Sequence, residues 1–306
     1  MRSIHSTKVF AIIAHAFGIL VTVFLLGYML VNIRDLKNYN NMIDLTNISL
    51  NTVITLIVFF GVMGIISSAY VIYFSAKSDD DTFVNNRYIL MLFSLSVGGI
   101  ITPFLLMRLP NSDVQTSINP RISISRGYGA CFLGSGLAAI ACYLFTYSTL
   151  NGDLNLFDTD ETSKKATIII LTVSAVCIIW GLANIATFVG NDVRTKFDKE
   201  GSATRGFMLF LSTVNLIIAT ITLVWIIISS ILTIISIITD MFERRRGLLG
   251  SIFNGMIATL RIALQMFIIY TAIQCIKGIW SRNGQFTYGQ YQNLANKQKQ
   301  YDESRR

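Results

Sequence analysis

Long apolar runs alternate along the chain with short charged segments, and the runs have the length of membrane-spanning helices. Seven of them qualify, at about 9–32, 50–75, 88–107, 128–148, 166–189, 206–238 and 248–278. A bilayer core about 30 Å thick needs roughly 20 apolar residues in a helix, and lipid offers no partners to the open edge of a sheet. The pattern therefore predicts an all-α, polytopic helical membrane protein with about seven transmembrane helices.

The transmembrane domain is predicted to cover residues 1–280. Its first run follows the segment MRSIHSTK, is too long for the apolar region of a signal peptide and has no small-residue cleavage site before Arg34. We therefore expect a retained helix. Residues 281–306 are polar and rich in glutamine, which is typical of a flexible cytoplasmic tail.

The spacing of the runs raises two questions about their arrangement. Run 206–238 would extend about 50 Å as one helix, so it must tilt, protrude or break near Ser229 and Ser230. A shift that matches Arg87 with Arg205 places the first three runs on the next three, and three spans per unit would make a weak 3+3 inverted repeat plus one helix. The matched identities are few, and two unrelated hairpins of ordinary length are the alternative.

Small residues and a proline indicate how individual helices pack. Ala130, Gly134, Ala138 and Cys142 recur every four residues in the fourth run, and such a stripe lets two helix backbones approach closely. We expect the stripe to pack within the monomer, with homo-oligomerisation as the alternative. Pro103 lies inside the third run, where it removes a backbone hydrogen bond and predicts a kink.

Composition agrees with the membrane class and indicates the partners. Apolar residues make up 53% of the chain and charged residues 14%, with a mean hydropathy of +0.57. The net charge is +8, but the basic residues are scattered over the segments between runs and are not clustered with aromatic residues. This distribution is typical of contacts with anionic lipid headgroups, so we expect the lipid bilayer as a partner and no nucleic acid.

The basic residues also predict an orientation. With seven spans, fifteen Lys and Arg residues fall on the side of the C-terminus and nine on the side of the N-terminus. Because cytoplasmic loops carry the excess of positive charge, this count predicts the N-terminus outside and the C-terminus in the cytoplasm. The basic N-terminal segment and the triplet Arg244 to Arg246 argue in the opposite direction.

The residues that most catalysis requires are missing from the runs. Both histidines, His5 and His15, lie at the start of the chain, so histidines from several helices cannot hold a haem or a metal. No Asp or Glu lies in the apolar core of any run, and no glycine-rich nucleotide fingerprint occurs. We therefore expect no enzyme, no catalytic residue, no cofactor and no metal site. His15 is expected to hydrogen-bond a Ser or Thr of a neighbouring helix.

The last run, Leu248–Trp280, carries a formal charge, Arg261, near its middle. At helical spacing, Arg261 shares one face with polar or small residues, namely Ser251, Asn254, Ala258, Gln265, Ala272 and Cys275. A charge at bilayer depth costs at least about 2.5–3.5 kcal/mol on insertion scales, so it normally faces protein or trapped water. The site predicted from the sequence is therefore Arg261, with Asn254 and Gln265 donating beside it to an anionic group.

Two structural roles for Arg261 are alternatives to the binding of an anion. In the first, Arg261 is neutralised by Asp240 or by backbone carbonyls at a broken helix. In the second, residues 248–260 lie at the membrane interface and Arg261 extends its charge toward water.

Together these observations predict a non-enzymatic integral membrane protein that binds or conducts a small anionic solute or lipid through a cavity lined by the last helix. The first alternative is an accessory or scaffold subunit of a membrane complex, in contact with partner membrane subunits or with further copies of itself. The second is a divergent seven-helix receptor, although the last run contains no Asn-Pro-x-x-Tyr sequence.

Overall fold

A computed structural model of the chain describes residues 2–33, 35, 50–95, 101–109, 118–151, 161–190, 192–199, 201–243 and 248–280. These residues form ten helices and no strand. In chain order the helices are α1 Arg2–Val31, α2 Leu50–Lys77, α3 Asp80–Asn85, α4 Arg87–Ser94, α5 Thr102–Met107, α6 Pro120–Asn151, α7 Glu161–Phe188, α8 Val193–Asp198, α9 Ala203–Glu243 and α10 Leu248–Trp280.

Six of these helices, α1, α2, α6, α7, α9 and α10, are long and apolar enough to cross a membrane. The chain is therefore an all-α integral membrane protein, as predicted, but with six spanning helices in its described part where the sequence predicts seven. The predicted tail 281–306 and the triplet Arg244 to Arg246 lie outside the described residues.

Four helices, α1, α2, α6 and α7, pack side by side in that order, each antiparallel to the next. We call the end of this row at which α1 begins the proximal end, and the opposite end the distal end. At the proximal end, Lys8 Nζ on α1 donates to the carbonyl oxygen of Ser78 after α2, at 2.8 Å. At the distal end, the Thr146 hydroxyl on α6 donates to Asn51 Oδ1 on α2.

Glycines allow the helices of this row to approach closely. A Cβ at Gly134 of α6 would lie 2.2 Å from Ile66 Cδ1 of α2, and a Cβ at Gly181 of α7 would lie 2.5 Å from the backbone nitrogen of Leu133 in α6. The backbone contact at Gly181 leaves no room for a side chain, whereas a Cβ at Gly134 would require the end of the Ile66 side chain to move. The predicted packing of the small-residue stripe within the monomer is confirmed at Gly134.

The third apolar run, predicted as one span over 88–107, forms two short helices instead. α4 begins next to the start of α6, where Asn86 Nδ2 donates to the carbonyl oxygen of Ile118 at 2.9 Å. α5 packs back against α4, and Arg87 Nη1 at the start of α4 donates to the Leu109 carbonyl oxygen after α5 at 2.5 Å. The chain thus enters and leaves the bundle at the proximal end, and we call α4 and α5 the re-entrant hairpin.

Pro103 explains part of this difference. It occupies the first turn of α5, where its missing N–H leaves no helical hydrogen bond unmade and its fixed φ suits a helix start. The prediction of a kink inside one continuous helix is therefore wrong, because the proline begins a new helix. Gly98 and Gly99, which precede it in the sequence, lie outside the described residues.

The last two spanning helices form a long antiparallel pair that joins the row near its proximal end. α9 is one continuous helix of 41 residues, about 60 Å long, and it does not break near Ser229 and Ser230. Asn215 on α9 donates to Asn184 of α7 at 2.7 Å, which anchors the proximal part of α9 to the row. α10 packs along α9 and against α4, and Cys275 Sγ donates to the Tyr88 carbonyl oxygen at 3.3 Å.

Two predictions about symmetry are corrected by this topology. The 3+3 inverted repeat is wrong, because α1 and α6 both begin at the proximal end and because the third run is a re-entrant hairpin while the sixth is one long helix. With six spans, α1 begins and α10 ends at the same end of the bundle. The prediction of opposite sides for the two termini depended on a seventh span.

Candidate functional site

A series of positions on α10 recurs at alternating steps of four and three residues, the spacing of a coiled-coil seam. We call them the α10 strip; they are Asn254, Ala258, Arg261, Gln265, Ile268, Ala272, Cys275 and Ile279. In the proximal half of the strip, Ala272 and Cys275 are fully buried against neighbouring helices. In the distal half, Ala258 is the buried member and Arg261 is exposed. Neighbouring helices therefore bury the proximal half of the strip but leave Arg261 in its distal half exposed.

α9 presents a matching series of positions. Leu223, Ser230 and Ile237 recur every seven residues and are buried, with Thr233 half-buried between them. Leu223 belongs to the main apolar cluster of the bundle, whereas the positions from Ser230 onward are mostly polar and end at the exposed carboxyl of Asp240. Both helices of the pair therefore become polar in the same, distal half.

The predicted site residues lie together on this uncovered half. Arg261 is exposed, Asn254 and Gln265 are half-buried, and none of the three makes a hydrogen bond or ion pair within the described part of the chain. Asp240 is also exposed and does not pair with Arg261. The faces predicted from the sequence agree with the structure at Ala258, which is buried, and at Met266 on the aliphatic face, which is exposed. They do not agree at Arg261, which is exposed, or at Ile262 and Ile269 of the aliphatic face, which are half-buried.

One structural explanation of Arg261 is not met among the described residues. Neutralisation by Asp240 is not observed, and α10 runs unbroken from Leu248 to Trp280, so no broken helix offers its carbonyls to the guanidinium. The interfacial explanation depends on where the membrane surface crosses this continuous helix. Within the described part of the chain, the N–H donors of Arg261 have no acceptor.

Apolar side chains surround this cation. Ile257 and Leu264, one turn to either side of Arg261 on α10, are each more than two-fifths exposed, and Leu260 is 72% exposed. On α9, Ile228 and Ile235 are exposed in the same half of the helix pair. In a bilayer these side chains contact acyl chains, so the polar positions border directly on lipid.

The re-entrant hairpin closes the proximal end of the α10 strip. The rings of Phe104 on α5 and Phe267 on α10 lie 5.9 Å apart, and the Tyr88 ring on α4 packs against Gly278. A Cβ at Gly278 would lie 2.0 Å from that ring, so the glycine makes room for it. The uncovered part of the strip therefore opens toward the distal end and toward lipid, and is blocked toward the proximal end.

A second polar cluster lies at the end of α4, inside the bundle. His15 of α1 is fully buried, with Nδ1 3.1 Å from Ser68 Oγ on α2 and Nε2 3.1 Å from Ser94 Oγ at the end of α4. Both ring nitrogens are satisfied, which confirms the predicted hydrogen bonds of His15 to neighbouring serines. What the sequence did not reveal is that one of these serines belongs to a re-entrant helix.

Buried arginines at the proximal end are structural cations that sequence reasoning assigned to loops. Arg121 Nη1 on α6 donates to the hydroxyls of Ser212 and Thr213 on α9, at 3.1 and 2.9 Å. Arg126 Nε donates to the Phe188 carbonyl oxygen at 2.7 Å and so caps the end of α7. These two cations bind helix ends and hydroxyls, unlike Arg261.

Outside the membrane-spanning helices, the segment after α2 is held by its acidic residues. The Asp79 side chain accepts a hydrogen bond from the Thr82 backbone N–H and caps α3. Partial burial raises the pKa of the Asp79 carboxyl, but its hydrogen bonds with Thr82 and the nearby charge of Lys8 outweigh this, so the pKa lies below its ordinary value. Lys8 itself pairs with Asp80 at 2.7 Å.

The described residues contain no group of three or more His, Cys, Asp or Glu side chains that could hold a metal ion. Comparison of the chain with protein-family models, with curated proteins and with solved structures gives no match. The candidate site therefore stands on its own geometry.

Proposed function

We propose that this integral membrane protein is not an enzyme and that it binds an anionic group, of a small solute or of a lipid, on the distal half of the α10 strip. The observation that supports this most is that Arg261 and Gln265, on the α10 strip of a spanning helix, make no hydrogen bond to any other residue that the structure describes. The planar fork of N–H donors in the Arg261 guanidinium matches a carboxylate or phosphate.

A bound anion would supply the counter-charge and the hydrogen-bond acceptors that Arg261 does not find among the described residues. A guanidinium without a counter-ion at membrane depth is costly, whereas a charge-assisted hydrogen bond to an anion contributes about 1.5–3 kcal/mol. Gln265 lies four residues beyond Arg261 on the same strip, so its amide can donate to the same ligand, whereas Asn254 lies about 10 Å before Arg261, nearer the distal end. The ligand would reach Arg261 from the distal end or from the lipid, because the re-entrant hairpin closes the proximal end of the strip.

The accessory-subunit alternative makes a different prediction for the same surface. A partner helix, or a second copy of the chain, would cover Arg261 with an acidic side chain and would purify with the protein. Replacement of Arg261 by Gln would then release that partner and would leave the binding of added anions unchanged.

The six-span topology also changes the proposed orientation. Seven basic residues fall at the distal ends of the helices or in the connections there, namely Arg34, Lys37, Lys164, Lys165, Arg244, Arg245 and Arg246. Apart from Arg261, the remaining seventeen of the 25 Lys and Arg residues fall on the proximal side. Because this asymmetry is larger than the one obtained with seven spans, we place the proximal end, and both termini, in the cytoplasm.

A thermal-shift titration tests the proposed function. The protein, purified in an uncharged detergent, is titrated separately with inorganic phosphate and with short-chain phosphatidylglycerol. A ligand at a hundredfold excess over its Kd stabilises the folded state by about 2.7 kcal/mol, which raises the unfolding midpoint by several degrees. We expect at least one probe to do so with the wild type, and neither to do so with Arg261→Gln.

Lys277→Gln is the matched control, because Lys277 is an exposed cation on the same helix and lies outside the strip. It is expected to keep the full shift. If both probes leave the wild type unchanged, or if Arg261→Gln responds as the wild type does, the proposed function is wrong.

A further inference from the structure

We infer that the anion at Arg261 is the phosphate of an anionic phospholipid from the distal leaflet, whose acyl chains lie against the exposed aliphatic side chains beside it. This inference rests on the proposed function and names the ligand class of the same site. Three features of the α10 helix support it: the depth of Arg261, the direction of its side chain and the character of its neighbours.

Depth places Arg261 close to lipid phosphate. The spanning part of α10, Asn254–Trp280, has 27 residues and is about 40 Å long, which matches a bilayer of about 40–45 Å including its headgroup regions. Arg261 follows Asn254 by seven residues, or about 10 Å. With the bilayer centred on Asn254–Trp280, the Cα of Arg261 lies a few Å inside the hydrocarbon boundary of the distal leaflet.

The direction of the side chain reduces this distance further. Helical side chains lean toward the N-terminus of their own helix, and the N-terminus of α10 is at the distal end. The guanidinium of Arg261 therefore extends toward the phosphate layer of the distal leaflet. Asn254, two turns closer to that surface, lies at the level of the headgroup, while Gln265 lies about 6 Å deeper than Arg261 in the hydrocarbon region.

The neighbours of Arg261 favour a ligand with apolar chains over a free anion. Ile257 and Leu264 flank the cation with exposed aliphatic surface, and Leu260 is still more exposed. A free phosphate gains nothing from this surface and would have to leave water to reach the cation. A phospholipid suits both the cation and the aliphatic surface, since its phosphate contacts the guanidinium while its acyl chains stay in contact with the apolar side chains.

Lipid retention in nanodiscs tests this inference. The wild type, Arg261→Gln, Arg261→Lys and Lys277→Gln are placed in nanodiscs of phosphatidylcholine with a minor fraction of phosphatidylglycerol. Native mass spectrometry then counts the phosphatidylglycerol molecules that stay on the released protein. Loss of one charge-assisted contact is expected to lower specific retention about tenfold or more in Arg261→Gln. Arg261→Lys keeps the positive charge but lacks the planar fork of N–H donors. Its lipid retention is expected to lie between that of Arg261→Gln and that of the wild type.

The outcomes separate the lipid from the proposed function. Specific retention that Lys277→Gln keeps, Arg261→Gln loses and added inorganic phosphate does not displace supports the inference. If inorganic phosphate displaces the lipid and stabilises the wild type through Arg261, the lipid assignment is wrong and the proposed function stands. If Arg261→Gln retains as much phosphatidylglycerol as the wild type, phosphates of the bulk bilayer serve Arg261 equally well and the specific site is wrong. Circular dichroism and size-exclusion profiles equal to the wild type show that each variant is folded.

Discussion

His15 Nε2 lies 3.1 Å from Ser94 Oγ, and this contact joins the middle of the first spanning helix to the end of α4 in the re-entrant hairpin. The other ring nitrogen of His15 lies 3.1 Å from Ser68 of α2, so one imidazole holds three helices. Residues at the inner end of a re-entrant helix have few backbone partners, and non-helical chain at membrane depth is tolerated only where protein or water satisfies it. The His15 cluster therefore anchors the end of α4 in the hairpin that closes the proximal end of the α10 strip.

Replacement of His15 by Leu is expected to destabilise the protein by about 1–2 kcal/mol, since interhelical hydrogen bonds in membranes contribute about 0.6 kcal/mol on average and up to about 1.7. The free energy of unfolding in a denaturing detergent measures the loss. His5→Leu is the control, because His5 is an exposed residue of the same helix. A double-mutant cycle of His15→Leu with Ser94→Ala should show coupling between the two sites. Additive effects would mean that the two residues do not interact.

Gly181→Ala is expected to separate α6 from α7. The added Cβ would lie 2.5 Å from the Leu133 backbone nitrogen and 2.9 Å from the Gly129 carbonyl oxygen, and backbone atoms cannot move aside by a rotamer change. Overpacking of this kind costs about 1–3 kcal/mol. Gly206→Ala, where no atom lies within 4 Å of the new Cβ, is the matched control and is expected to be neutral or slightly stabilising. Equal stability of the two variants in the same unfolding assay would contradict the close packing of α6 and α7.

The topology predicts that tags at the two termini lie on the same side of the membrane. α1 begins and α10 ends at the proximal end, and the excess of basic residues places that end in the cytoplasm. Protease added to intact cells should therefore leave both an N-terminal and a C-terminal tag uncut, and should cut both after permeabilisation. Digestion of one tag alone in intact cells would require an odd number of spans.

Hydrophobic patterning along the sequence was enough to predict the membrane class and the inward face of the last helix. The α10 strip could be read from the chain because its small and polar residues recur at a spacing that only a helical face produces, and Ala258, Ala272 and Cys275 are buried where this spacing predicts. The predicted hydrogen bonds of His15 follow from a similar argument, since a buried histidine requires partners.

The re-entrant hairpin could not be predicted in the same way. Run 88–107 has the length and composition of a spanning helix, and hydropathy does not distinguish one long helix from two short ones that fold back. Tertiary contacts decide between them: Arg87, which the sequence places in a loop, is buried and bonds the Leu109 carbonyl oxygen across the hairpin. Since every later span changes sides with that one element, the inverted repeat failed with it, and the count of basic residues on each side of the membrane changed.

The exposure of Arg261 also needed the structure. Periodicity predicts which residues face inward, but it does not show whether another helix covers them. α9 and α10 pack on the bundle at their proximal ends, whereas Arg261, Gln265 and Asn254 lie in the half that the described helices leave uncovered. This is the difference between a polar seam sealed by protein and a site that a ligand can enter.

Equilibrium binding of one fluorescent anionic phospholipid to wild type, Arg261→Gln, Gln265→Leu and the double variant tests the central claim most directly. If both side chains hold the same phosphate, each single replacement weakens binding about tenfold. The double replacement then weakens it by less than the product of the two, because the second residue has lost its ligand with the first. Equal affinity in all four proteins would contradict an anion-binding site on the α10 strip.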